Sequence, residues 1–221
     1  MGFFDYSWSI RDRILDDFKT TLYMLFFSAI FAGLFGLILG IIMVVTDRGR
    51  ILENKVIYSI LDKLTNIFRS IPFVILLALV APFTRFIVDT RIGPKAAIVP
   101  LVVSCIPFFA RQVEQALAEV DPGVIEAAEA MGKSPFEIIT SVYLREGLPN
   151  LIRAGSITLI SLLGLTAMAG LIGGGGIGDL AISVGYNRYK DDVVLVSVVL
   201  ILLVVFIIQA IANYLIRKTK H

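Results

Sequence analysis

Three stretches of the chain, residues 22–45, 154–178 and 193–216, run without a single charged residue. Each is longer than the roughly 20 apolar residues a helix needs to cross a hydrocarbon layer about 30 Å thick. A buried helix of a soluble domain rarely reaches that length, and soluble folds keep polar positions at helical or strand spacing. The composition agrees. Hydrophobic residues make up 57% of the 221 and charged residues 17%, against about 45–50% and about 25% in soluble domains. The mean hydropathy is +0.86. Disordered, collagenous and disulfide-rich classes are excluded by the same numbers. The one cysteine, Cys105, sits inside an apolar run and has no partner with which to form a disulfide.

Two shorter apolar blocks lie between Arg69 and Arg85 and between Lys95 and Arg111. Each spans a bilayer only if the flanking cations snorkel or the helix runs past them. Both carry prolines, Pro72 and Pro82 in one and Pro100 and Pro107 in the other, which break or kink a helix. Broken backbone survives in a bilayer only against protein or a water-filled cavity, so plain packing kinks and pathway-lining breaks both fit. The expected fold is an all-α membrane protein of five transmembrane helices, near 22–45, 69–88, 94–116, 152–174 and 193–216. An N-terminal segment 1–21 precedes them, a polar loop 117–149 interrupts them, and a tail 217–221 follows.

Basic residues of short loops favour the cytoplasmic side. With the tail placed there, 12 of the 20 basic residues fall inside: Arg48, Arg50, Lys55, Lys63, Arg69, Arg111, Lys133, Arg145, Arg153, Arg217, Lys218 and Lys220. An outer N-terminus and a cytoplasmic C-terminus follow as the expectation. The opening residues have no basic start and no short apolar stretch before a cleavage site, so no signal peptide is expected. A net charge of +2 spread between apolar blocks gives no nucleic-acid footprint.

In this topology the loop QVEQALAEVDPGVIEAAEAMGKSPFEIITSVYLREGLPN, residues 112–150, faces the cytoplasm. Asp121 and Pro122 form a helix start, because the carboxylate caps the first turn and proline needs no donor there. The Ala- and Glu-rich run to Met131 propagates that helix, and Gly132 is placed to end it in a left-handed conformation. Ser134 and Glu137 then have capping-box spacing ahead of a second helix. Small residues Ala127, Ala128 and Ala130, with Ile125, Met131 and Phe136 nearby, suit docking into a partner's groove. An amphipathic hairpin lying on lipid is the alternative reading of the same residues.

The run EAAEAMGKSPFEIITSVYLREGLP resembles the coupling loop of bacterial ABC-type import permeases. Glu126, Ala127, Ala128, Gly132, Val142 and Leu144 match that pattern, and Arg145 stands where the family has proline, with Pro149 nearby to take over a helix-stopping role. TAMAGLIGGGGIGDLAISVGYNRYKDDVV, residues 166–194, is similar to the end of the fourth helix and the following outer loop of methionine-type permeases. The resemblance implies the type I importer permease fold in a bacterial inner membrane. It also implies a homodimer, two ATPase subunits carrying ATP and Mg, and an extracytoplasmic substrate-binding protein, often a lipoprotein. Glu126, Ala127, Ala128 and Gly132 of that pattern, with Phe136 from the apolar side of the elbow, are the candidates for coupling to the ATPase. Candidate pathway residues are Ser104, Ser161, Thr166 and Met168, although such polar side chains commonly satisfy a local carbonyl instead. Gly173, Gly174, Gly175, Gly176 and Gly178 are read as a gate or turn, and Gly36 with Gly40 as a helix-packing pair.

Two apparent nucleotide motifs fail on context. AAEAMGKS, residues 127–134, lacks the flexible glycines of a phosphate cradle and carries carboxylates. GGGGIG, residues 173–178, follows a membrane helix rather than a strand of a βαβ unit. His221 is the only histidine, so neither a metal cluster nor a serine-histidine-aspartate set can be built. The chain is therefore expected to be a transport subunit with no cofactor of its own, not an enzyme. Methionine is the cargo the resemblance implies; another amino acid or a metal stays open. An ion-coupled secondary transporter is the competing class, but such proteins place ionisable residues near mid-membrane, and the three clear segments hold none.

Overall fold

The computed structural model describes residues 4–219; Lys220 and His221, used in the sequence reading, lie outside the described residues. In chain order the elements are α1 (Asp5–Ser9), α2 (Arg11–Thr46), α3 (Lys55–Ser70), α4 (Phe73–Val88), α5 (Pro94–Ala118), α6 (Pro122–Ala130) and α7 (Pro135–Ile138). A π-type turn Ile139–Tyr143 leads to α8 (Leu144–Glu146) and α9 (Leu148–Ala169). A second π-type turn, Gly170–Gly174, precedes α10 (Ile177–Asp179), and a third, Leu180–Tyr186, precedes α11 (Asp191–Thr219). All regular structure among the described residues is helical.

Helices α2, α5, α11 and the α9 helix extended to Gly174 are long and apolar enough to cross a membrane. Helices α3 and α4 make a fifth span if the two sides of their break are counted together. The first span begins earlier than its apolar block. Arg11 to Thr21 join α2 because Arg13–Asp17 and Lys19–Asp16 pairs at helical spacing support that stretch. The second span is cut at Ile71–Pro72, where Pro72 cannot continue α3 and its carbonyl accepts the first bonds of α4 from Ile75 and Leu76. Helix α4 alone is 16 residues, about 24 Å long at helical rise. Pro82 lies within α4, and α5 runs on through Pro100 and Pro107, so these three prolines do not divide their helices.

The chain forms two compact units. One comprises Met1–Phe31, Ile71–Ser104 and Leu159–Gln209. Its core gathers Ile14, Ile177, Leu180, Val184 and Val193. The segment after the glycine run, expected as an outer loop, is helical from Ile177 to Tyr186 and buries Ile177 and Leu180 completely. Ser7 is clasped to α11, its backbone N–H and hydroxyl both donating to Asp192 Oδ2 at 2.7 and 2.6 Å.

The other unit comprises Ala32–Ser70, Cys105–Thr158 and Ala210–His221. Its core joins Val44, Val45, Val113, Leu117, Val120, Ile125, Ala128, Ile138, Val142 and Tyr143. Gly36 and Gly40 pack on α5 as the spacing implied: a Cβ on Gly40 would lie 2.6 Å from the Ala110 carbonyl oxygen. Helix α3 is turned inside out. Tyr58, Asp62 and Thr65 share its inward face with Asn66 at the exposed rim, while Val56, Ile57, Ile60, Leu64 and Ile67 are exposed. An outward apolar face is at home in hydrocarbon and costly in water.

Candidate functional site

The elbow between α6 and α7 is specified by local chemistry. Asp121 Oδ1 accepts from the Gly123 N–H at 2.7 Å, and Pro122 occupies the first turn. Helix α6 stops at Gly132, whose φ of +77° costs an L side chain energy but not glycine. Around that corner Gly132 N–H donates to the Glu129 carbonyl at 2.9 Å and Lys133 N–H to the Ala128 carbonyl at 3.2 Å. The capping box is complete. Ser134 N–H donates to Glu137 Oε2 at 2.8 Å, and Glu137 N–H donates back to Ser134 Oγ at 3.4 Å. The Ser134 hydroxyl also donates to Glu137 Oε2, at 2.7 Å. These bonds from Ser134, aided by the Lys133 charge, hold the Glu137 carboxyl below its ordinary range of 4.5.

Ile125, Ala128, Ile138 and Val142 bury the elbow's inner side. The outer side carries Glu126, Ala127 and Ala130, and at the corner Met131 and Phe136, 69% and 74% exposed. The two corner side chains are apolar, large and uncovered. Ala128, by contrast, is 2% exposed and belongs to the core, because it stands about 100° round the helix from Ala127. Pro149 stands three residues after α8 ends at Glu146. It lies in the first turn of α9, where its missing donor leaves no gap, and the chain passes through Arg145 in helical form.

Beneath the outer side a cavity of about 190 Å³ is lined by Arg50, Ile125, Glu126, Glu129 and Tyr143. The Tyr143 side chain is fully buried, and its hydroxyl finds no hydrogen-bond partner among the described residues. Burial pushes its pKa up, and Arg50 partly opposes this.

The pathway candidates do not form one set. Thr166 is buried and donates to the Leu163 carbonyl at 2.7 Å, so its hydroxyl is committed to its own helix. Ser161 and Met168 are exposed on α9, and Ser104 is half-buried on α5. The glycine run makes a sharp reversal, with positive φ at Gly173, Gly175 and Gly176. Gly93 N–H donates to the Gly173 carbonyl at 2.9 Å. Thr21 Oγ1 accepts the Ile177 N–H at 2.8 Å. A Cβ on Gly178 would sit 2.3 Å from the Ala167 carbonyl oxygen, so the returning chain lies against α9 backbone to backbone. The run is a packed turn, and only glycine fits its tightest point.

Residues 32–221 match the family described as the inner membrane component of binding-protein-dependent transport systems. The chain belongs to this permease family. It is 44% identical over 201 residues to a probable D-methionine transport system permease protein of Pasteurella multocida, covering 91% of this chain and 93% of that one. It is 48% identical over 172 residues to the methionine import system permease protein of Bacillus subtilis, covering 78% of each. Among solved structures, an inward-facing conformation of the MetNI methionine ABC transporter superposes with a TM-score of 0.93 at 42% identity, covering 96% of this chain and 99% of that one. An amino acid ABC transporter at 16% identity shares the fold, with a TM-score of 0.80 over 99% of each chain.

In this permease several structural residues escaped the sequence reading. Arg111, read as a flanking cation, is bonded to Asp62, Asn66 and Glu114. Gly147 lets the chain cross α5 closely: a Cβ there would lie 2.6 Å from Leu117 Cδ2. Asn150 Nδ2 donates to Glu119 Oε2 at 2.6 Å, tying the start of α9 to the end of the segment before the elbow. Apart from Arg111–Glu114, which sits at i,i+3 spacing, these partners are 30 or more residues apart in sequence, so no local signal could have disclosed them.

Proposed function

We propose that this permease is the membrane-spanning subunit of an ATP-driven importer and that its cargo is methionine. The observation that carries the reading is the elbow: a fully capped helical corner that projects Met131 and Phe136 out of a buried apolar base. Burying two such side chains in a partner's groove stabilises a complex by about 1.5–3 kcal/mol each. The hydrogen-bonded corner lets the elbow transmit a push as a unit instead of bending. Glu126 and Glu129, beside that surface, supply charge for a basic partner group.

In this reading the elbow and the C-terminus face the cytoplasm and the N-terminus lies outside. Two permease copies enclose one pathway, and two ATPase subunits bind ATP and Mg and dock on the elbows. A binding protein delivers the cargo from outside. Closure of the ATPases draws the elbows together and shifts the permease pair between inward- and outward-facing states. The methionine assignment rests on the relatives' names and on the match to a methionine transporter, not on a pocket in this chain.

Reconstitution in proteoliposomes with the ATPase and binding protein tests both parts. Uptake of labelled methionine that requires ATP and is displaced by unlabelled methionine but not by other amino acids or divalent metals is the expected result. Uptake driven by an ion gradient without ATP would overturn the importer reading, and ATP-dependent uptake of a different cargo would overturn the substrate.

A further inference from the structure

Helix α3 carries its polar residues where a soluble helix would carry its apolar ones. At positions 58, 62, 65 and 66, spaced for one face, Tyr58, Asp62, Thr65 and Asn66 point toward α5 and α2. At their centre stands Arg111 of α5. Its Nη1 donates to Glu114 Oε2 at 2.6 Å, and its Nη2 donates to Asp62 Oδ1 and, at 3.2 Å, to Asn66 Oδ1. Tyr58 donates its hydroxyl to the other Glu114 oxygen at 3.0 Å, and Asn66 Nδ2 returns a 3.2 Å bond to Asp62. Thr65 completes the face with a 3.7 Å contact to Met43 Sδ. The Arg111 and Glu114 side chains are largely shielded, at 14% and 9% exposure.

Apolar packing between helices tolerates sliding, because it has little directional preference. A guanidinium held on its own helix by Glu114 and reaching across to Asp62 and Asn66 of α3 does not, since each bond requires its own angle. Helix α3 has given its apolar side to the outside, so this polar grip is what fixes its position on α5. Helix α5, in turn, runs three residues past its last turn into Asp121, the cap of the elbow. Arg50, on the loop leading into α3, donates to the Ala118 carbonyl at 3.1 Å, so the same end of α5 is held a second time.

We propose that Arg111 is a positioning residue that locks α3 to the elbow-bearing end of α5, so that displacement of the elbow moves α3 with it. This coupling role rests on the importer reading; the lock itself does not. Removing the fork leaves α3 attached only by its chain ends and lesser contacts, and the elbow then moves without carrying it.

The experiment uses the full-length permease with its ATPase and binding protein in proteoliposomes. Three variants are compared with the parent: Arg111→Lys, which keeps charge but loses the fork; Asp62→Asn; and the exchange Asp62→Arg with Arg111→Asp. Spin labels at Ile60→Cys and Gln115→Cys, both exposed positions of the same unit, report the α3–α5 distance in a Cys105→Ser background. The expected result is a narrow distance distribution in the parent and a broadened one in Arg111→Lys and Asp62→Asn. Uptake per ATP hydrolysed should fall about fivefold in those two variants while ATPase binding is kept. The exchange should recover at least part of both. Unchanged distances in Arg111→Lys and Asp62→Asn would overturn the lock. Broadened distances with unchanged uptake per ATP would overturn the coupling role. A parent complex with no ATP-driven uptake would instead overturn the importer reading, and the distance measurement would still decide the lock.

Discussion

Replacing Gly132 separates conformation from contact at the elbow. A Cβ placed on this glycine meets nothing within 4 Å, so substitution there creates no clash, and the whole effect comes from its φ of +77°. Holding an alanine in that left-handed region costs about 1–2 kcal/mol, and valine, branched at Cβ, costs more. Asparagine visits the region readily and should lose least. A strain of 1–2 kcal/mol changes the ratio of native to relaxed corner by roughly 5–30-fold, while the buried base of the elbow keeps the protein folded. Purified complexes of Gly132→Val, Gly132→Ala and Gly132→Asn should therefore melt close to the parent. Uptake per ATP should fall in the order Asn, Ala, Val, with the valine variant nearly uncoupled. Equal damage from asparagine and valine, or full uptake with valine, would refute the strain argument.

Other positions give equally specific expectations. Gly178→Ala drives a methyl group into the backbone of Ala167 and should lower thermal stability by an amount typical of overpacking, about 1–3 kcal/mol. Gly164→Ala, in open space on α9, should be neutral or slightly stabilising in the same melting assay; equal losses would contradict the close-packed turn. For Glu137 the depressed pKa means that the folded elbow prefers the ionised carboxyl. Its contribution is complete above the ordinary value of 4.5 and is lost as pH falls through the depressed value. Hydrogen exchange of the Ser134 amide across acidic pH should show protection persisting below 4.5 in the parent and a flat profile in Glu137→Gln. A transition at or above the ordinary value would show that the capping box does not hold the charge.

What the sequence disclosed follows a physical divide. The caps at Asp121 and Ser134, the corner at Gly132 and the long apolar helices are written in residues within four positions of one another, and the structure contains them. The break before α4 shows in the sequence only as Pro72, and the helix before it is hidden because α3 has the charge content of a loop. Its reversed polarity makes sense only beside Arg111, 49 positions from Asp62. The helical segment 177–186 carries the local signature of a loop because glycines surround its start. Its burial depends on Ile14 and Val193, distant in sequence. Ala127 and Ala128 stand side by side in the family pattern, whereas their helical phase sends one outward and the other inward.

The central claim is that the elbow corner is the docking surface for the ATPase, and binding measures it directly. Immobilised permease, titrated with its ATPase subunit, should bind at least about tenfold more weakly when Met131 or Phe136 is changed to aspartate, since either change removes about 1.5–3 kcal/mol of apolar burial. Trp8→Asp, at a side chain 71% exposed in the other unit, should leave the affinity unchanged. Undiminished affinity in both corner variants, or an equal loss with the Trp8 variant, would contradict the account.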